Sequence, residues 1–117
     1  MNETATIYHN PRCSKSRQTL ELLNDRGMKV QIVTYLEQGL AKGEIRDLAM
    51  ARGCGLHDLL RTKEAAYADH NLSVTSSDQD IIDALLAEPI LLERPIVITA
   101  KGAALGRPPE NILEILA

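Results

Sequence analysis

"TATIYHNPRCSKSRQTLELLNDRGMKVQIVTY", residues 4–35, is the stretch on which the fold of this chain turns. It opens on TATIY (4–8), an alternating run of β-branched and aromatic residues that predicts a first strand. From about Ser14 onward Leu20 and Leu23 fall at helical spacing, and Gly27 after Arg26 predicts the helix stop. VQIVTY (30–35) is again dense in β-branched residues and predicts a second strand. Strand, helix and strand within about thirty residues make a βαβ unit, whose strands are expected to be parallel with a right-handed crossover.

The pattern then changes. GEIRDLAMARG (43–53) puts Ile45, Leu48 and Ala49 on one helical face and ends at glycine. LHDLLRTKEAAYADHNL (56–72) predicts one or two short helical pieces. In SSDQDIIDALLAEP (76–89), Ser77 stands three residues before Asp80 as a helix start, Ile81, Ile82, Leu85 and Leu86 form the expected buried stripe, and Pro89 closes it. IVITA (96–100) predicts a third strand, KG a tight turn, and AALGR (103–107) a fourth strand pairing back as a hairpin. PPENILEILA (108–117) predicts a last helix, with proline suited to its first turn. The order is β-α-β, a helical block over about 41–90, then β-β-α. No linker, repeat or low-complexity stretch interrupts it, so residues 1–117 are expected to form one α/β domain.

Composition narrows the function. A net charge of −3, three scattered tyrosines and no Trp or Phe argue against a nucleic-acid surface, which needs a basic footprint or stacking rings. No charged-then-apolar leader appears in MNETATIYHN, and runs such as ILL, IVI and ALL are too short to span a bilayer. Two cysteines forty-one positions apart, Cys13 and Cys54, are no disulfide framework and suit a reducing compartment. A cytoplasmic protein without membrane partners is expected. Two cysteines and three scattered histidines offer no metal-ligand cluster, and no glycine-rich phosphate loop is present.

Cys13 is the residue that demands chemistry. It sits where the first strand's loop feeds the first helix, with Arg12, Lys15 and Arg17 beside it and His9 across the turn. Only the thiolate of cysteine is a competent nucleophile, and helix N-termini and cations are the settings that favour it. The hydroxyls of Ser14 and Ser16 are candidates to donate to the sulfur or to a bound oxyanion. Two readings of the turn stand side by side: a basic strand-to-helix connection whose charges face water, or a device for making a thiolate. Ser16 occupies the place of a second cysteine in a C-x-x-C pair, so a redox-active Cys13 needs its product resolved by another thiol.

The segments IYHNPRCSKSRQTLELL, LLRTKE, ILLERPIVIT and GRPPENILEIL together resemble, in order and spacing, the arsenate reductase (ArsC) family of the glutaredoxin-coupled, thioredoxin-fold type. Ser14-Lys15 after the cysteine and a chain that ends soon after its last helix bring the resemblance nearest to that family's short, uncharacterised arsenate-reductase-like branch. The resemblance implies a thioredoxin-like β-α-β … β-β-α core with a helical insertion between the second and third strands. It implies Cys13 as nucleophile, and His9 as a histidine that helps keep that cysteine ionised. Arg61, Arg94 and Arg107 are implied to hold the oxyanion, a role suited to guanidinium forks, which bind tetrahedral anions bidentately. Pro95 matches the cis-proline that such folds place beside the reactive cysteine, and Ser16 and Arg17 are expected to support the site. The implied reaction is reduction of arsenate, or a similar oxyanion, to arsenite, with glutathione as co-substrate, glutaredoxin clearing the mixed disulfide, and no bound cofactor or metal. A monomer is expected.

Two other functions fit the same residues. One is a glutathione-dependent thiol-disulfide oxidoreductase, with the arginines on glutathione carboxylates. The other is a redox-responsive protein-binding regulator, disfavoured because C-S-K-S lacks the C-x-x-C of such regulators. Cys54, at a predicted helix end between two glycines, is expected to be structural, and His57 and His70 to be surface or capping residues.

Overall fold

The computed structural model describes residues 3–116. β1 (Thr4–Tyr8), α1 (Ser14–Asp25) and β2 (Lys29–Val33) follow one another, and the two strands pair in parallel from Thr4 opposite Lys29 to Tyr8 opposite Val33. Gly27 takes φ +71°, the left-handed conformation that costs glycine least. It lets the Met28 N–H reach the Leu23 carbonyl (3.2 Å) and its own N–H reach Asn24 (3.0 Å), the crossed bonds of a Schellman stop. β2 ends earlier than its β-branched run predicts. Tyr35 instead begins a helical turn, α2 (Tyr35–Gln38), where its ring is fully buried with its centroid 6.4 Å from that of Tyr8. Burial of one aromatic ring outweighs the local strand preference.

β3 (Ile96–Thr99) and β4 (Gly102–Leu105) form the predicted hairpin, and β3 also pairs antiparallel with β1. The sheet order is β2-β1-β3-β4. Ala5, Ile7, Val97 and Leu23 of α1 pack with Ile112, Ile115 and Leu116 into one apolar cluster. The last element, Pro109–Ile115, is a 3-10 helix rather than an α-helix. Its three-residue period stacks Ile112 and Ile115 on the same side, and both are buried against the cluster. Ala117, included in the predicted helix, lies outside the described residues.

The described chain divides into two compact units, one made of the residues up to Tyr35 and from Arg94 onward, the other of Leu36–Glu93. The second holds α3 (Lys42–Arg52), a 3-10 turn (Leu56–Leu59), α4 (Ala65–Asp69), α5 (Asp78–Ala87) and a 3-10 turn (Pro89–Leu91). Ser77 caps α5, its Oγ accepting from the Asp80 N–H at 3.1 Å. The buried stripe of α5 is Ile81, Ile82, Ala84 and Leu85, whereas Leu86 is 40% exposed. At 100° per residue Ala84 extends the buried arc on one side, and Leu86 falls past its other edge. Among the described residues no helix is long and apolar enough to cross a membrane.

Candidate active site

Val33, Tyr8, Ile96 and Leu105 form one row across the sheet. Just beyond that row the chain leaves the strands at His9–Cys13, at Arg94–Pro95 and at Gly106–Arg107. Residues far apart in sequence therefore meet at one edge of the sheet because the strand register puts them there.

The turn after β1 is built by its residue types. The Cys13 N–H donates to the Asn10 carbonyl (3.0 Å) with Pro11 at the second position, while Asn10 Oδ1 accepts from the Arg12 N–H (3.0 Å). Proline presets the turn and asparagine mimics it with its side chain. The Arg17 N–H then donates to the Cys13 carbonyl at 3.0 Å and opens α1. Cys13 is thus the N-cap residue, and its side chain makes no capping bond. The thiol is free and half-buried, and Arg107 Nη1 stands 3.7 Å from its Sγ. A helix start and a guanidinium are two sources of positive potential at one sulfur, an arrangement that receives an anion.

Ser16 behaves differently from a surface serine. It is fully buried, its Oγ accepts from the Asn10 N–H (3.0 Å), and it lies 2.6 Å from His9 Nδ1. A buried hydroxyl needs an acceptor for its own proton, and Nδ1 of a neutral ring supplies it. Ser16 therefore braces the turn that carries Cys13, and its hydroxyl is committed there rather than to the sulfur or an oxyanion. Burial, and secondarily the charge of Arg17, lower the His9 pKa below its ordinary value. Both causes favour the uncharged ring.

This has a consequence for pH. Because His9 binds its proton less readily folded than unfolded, the unfolded chain takes up the extra proton below about 6.5. Stability falls as pH drops from about 6.5 through the lowered native pKa, and is fully present above about 6.5. The stability difference between wild type and His9→Asn, from urea unfolding, should narrow between pH 7.5 and 5. An unchanged difference would show that burial of neutral His9 is not what titrates.

The remaining predicted residues fall as follows. Arg17 Nη1 donates to the Pro11 carbonyl at 2.8 Å, tying α1 back onto the turn. The Arg94–Pro95 peptide is cis, as is Arg107–Pro108. Arg94 is half-buried immediately before β3, and the Pro95 carbonyl accepts from the Gly106 N–H at 2.8 Å. Arg61 belongs to the second unit, in the connection between the Leu56–Leu59 turn and α4. Its N–H donates to the Leu91 carbonyl (2.7 Å), and its guanidinium pairs with Glu64. Asn10 and Thr19, both buried polar residues, were not singled out from sequence, although the Asn-Pro dipeptide is a turn signal.

Cys54 follows the left-handed Gly53 that ends α3. Burial pushes its thiol pKa up, Arg52 opposes that, and Asp58 adds to it. His57 Nε2 bonds the Tyr67 hydroxyl at 2.8 Å, and His70 caps α4 with Nε2 3.7 Å from Glu88. Among the described residues no group of three or more His, Cys, Asp or Glu side chains is placed to hold a metal ion.

Comparison with known proteins places the chain in a family. Residues 8–115 match the ArsC family. The chain is 44% identical to the uncharacterized protein YfgD of Escherichia coli K12, over 99% of both chains. It is 41% identical to an arsenate reductase of Haemophilus influenzae, covering 94% of this chain and 97% of that one. A solved arsenate reductase from Vibrio cholerae superposes with a TM-score of 0.94 at 41% identity, covering 99% of this chain and all of the other. With its helix-start cysteine, its mixed four-stranded sheet of thioredoxin-like type and this match over nearly its whole length, the chain belongs to the ArsC family.

Proposed function

We propose that this protein reduces arsenate to arsenite through the thiolate of Cys13, with glutathione as co-substrate and glutaredoxin as the partner that restores the thiol. The observation that carries this reading is the Arg107 guanidinium 3.7 Å from the Cys13 sulfur at the start of α1. The arsenate reductases among its relatives supply the substrate class.

The thiolate attacks arsenic and displaces water, forming a sulfur–arsenic bond. Glutathione then delivers its sulfur, arsenic(V) takes two electrons to become arsenic(III), and arsenite leaves. Those electrons come from the two thiols, which are left joined as a Cys13–glutathione disulfide. Glutaredoxin exchanges that disulfide away, because Ser16 stands where an internal resolving thiol would be. Arg107 offsets the repulsion between thiolate and arsenate, and Arg94 joins it in the oxyanion grip by the family resemblance, which gives Arg61 an oxyanion-binding role as well. His9, Ser16 and Arg17 hold the turn. The reading extends to a single domain over residues 1–117 acting as a cytoplasmic monomer.

Purified protein supplied with arsenate, glutathione and glutaredoxin should yield arsenite. Loss of one charge-assisted contact in Arg107→Ala should raise KM for arsenate by about 10- to 100-fold. Absence of arsenite from the wild type would overturn the reading. If Cys13 were then readily glutathionylated, the thiol-disulfide oxidoreductase reading would replace it.

A further inference from the structure

Gly106 immediately precedes Arg107 and is boxed in. A Cβ built on it would lie 2.5 Å from Thr19 Oγ1, 3.1 Å from Thr19 Cγ2 and 2.8 Å from Pro95 Cγ. Its φ is not in the left-handed region, so the requirement for glycine is one of space. The Gly106 N–H donates to the Pro95 carbonyl at 2.8 Å. Thr19 is fully buried, and its hydroxyl donates chiefly to the Lys15 carbonyl (2.8 Å) while also reaching the Gly106 carbonyl at 3.4 Å. On the other side of Arg107, Asn111 Nδ2 donates to the Arg107 carbonyl at 3.1 Å. The backbone of Arg107 is therefore held on both flanks, while its side chain stands at the surface beside the sulfur.

Thr19 lies on the helix that Cys13 caps, and Gly106 lies on the strand exit that carries Arg107. Their contact is where the element bearing the thiol seats on the element bearing the cation. We propose that Thr19 and Gly106 are positioning residues that set the Arg107–Cys13 separation, and through it the access of anions to the thiol. The proposal deepens the reading above and rests on Arg107 acting as the anion-binding cation. With any Cβ at position 106, Thr19, Pro95 or the strand exit must give way, and a shift of the exit carries Arg107 with it.

Two alkylating reagents with the same leaving group test it. Iodoacetate is an anion and iodoacetamide is neutral, so their rate ratio at Cys13, followed by peptide mass spectrometry, reads the local cation. In Arg107→Ala the ratio should fall about fivefold, the effect of one unit charge at about 4 Å in water. Gly106→Ala should lower it comparably while the iodoacetamide rate stays near wild type. Thr19→Val, which keeps the shape and loses the hydroxyl, should also lower it, and Thr19→Ser should restore it. A loss of structure alone would change both reagents together. If Gly106→Ala does not fold, the Thr19 pair carries the test. A lowered ratio in Arg107→Ala with wild-type ratios in Gly106→Ala and Thr19→Val overturns the positioning role and leaves Arg107 in place. An unchanged ratio in Arg107→Ala removes the anion-binding role of Arg107 and the proposal with it.

Discussion

Cys13→Ser should produce no arsenite above background, a loss on the order of 10³-fold or more. The substitution keeps the size of the side chain and the N-cap position, which serine fills well. What changes is ionisation. An unassisted thiol is already a few per cent thiolate at about pH 7, whereas a hydroxyl needs a dedicated base. His9, the histidine of the turn, is engaged through Nδ1 with Ser16 rather than with position 13. Arsenite formation under saturating glutathione and glutaredoxin, with intact-mass detection of the glutathione adduct, reads the outcome. Turnover and adduct should vanish together. Persistent turnover in Cys13→Ser would mean that the chemistry does not pass through this sulfur.

The second large effect is on stability. Leu23→Ala should cost about 2–5 kcal/mol, the usual range for truncating a buried leucine whose surroundings cannot collapse. Leu23 has no exposed surface and lies among Ala5, Ile7, Val97 and Ile112, contributed by two strands and the last helix, so no single element can move in to fill the void. Leu20, only partly buried against the same cluster, should cost distinctly less when truncated. Urea unfolding of both variants decides it, with midpoint shifts read at constant slope. Equal losses would mean that α1 is held by its caps and turn rather than by this face.

Much of the architecture was legible because the signals are local. β-branched runs marked the strands, Gly27 marked a helix stop, and Ser77 marked a helix start; each acts within a few residues. Cys13 was legible for the same reason, since a proline-led turn and a helix start are neighbours in the chain. What escaped reading depends on partners distant in sequence. Tyr35 sits outside the strand, buried with its ring beside that of Tyr8 on β1. Ser16 reads from sequence as a donor to the sulfur or to an oxyanion, and Thr19 carries no signal at all, yet both are fully buried, one beneath the cysteine turn and the other against Gly106. The Arg107–Cys13 contact joins groups 94 positions apart, which no local pattern reports and only the family resemblance suggested. The final helix was legible as a helix but not as a 3-10 helix, because its tightness serves the stacking of Ile112 and Ile115.

The same strand register that gathers His9, Pro95 and Gly106 at one edge leaves the opposite edge to Thr4, Thr99 and the Ala100–Lys101 turn. There the side chains are engaged in fastening: Thr99 Oγ1 donates to the Ile115 carbonyl at 2.6 Å, and Lys101 Nζ to Leu116 at 3.1 Å. The sheet thus has a working end and a moored end. Labels, fusions or surface attachments made by way of the moored end lie at the far end of the sheet from the thiol, whereas the same additions at residues 10–12 or 107–110 sit beside it. For anyone immobilising this protein to watch single turnovers, the orientation is already written into the sheet.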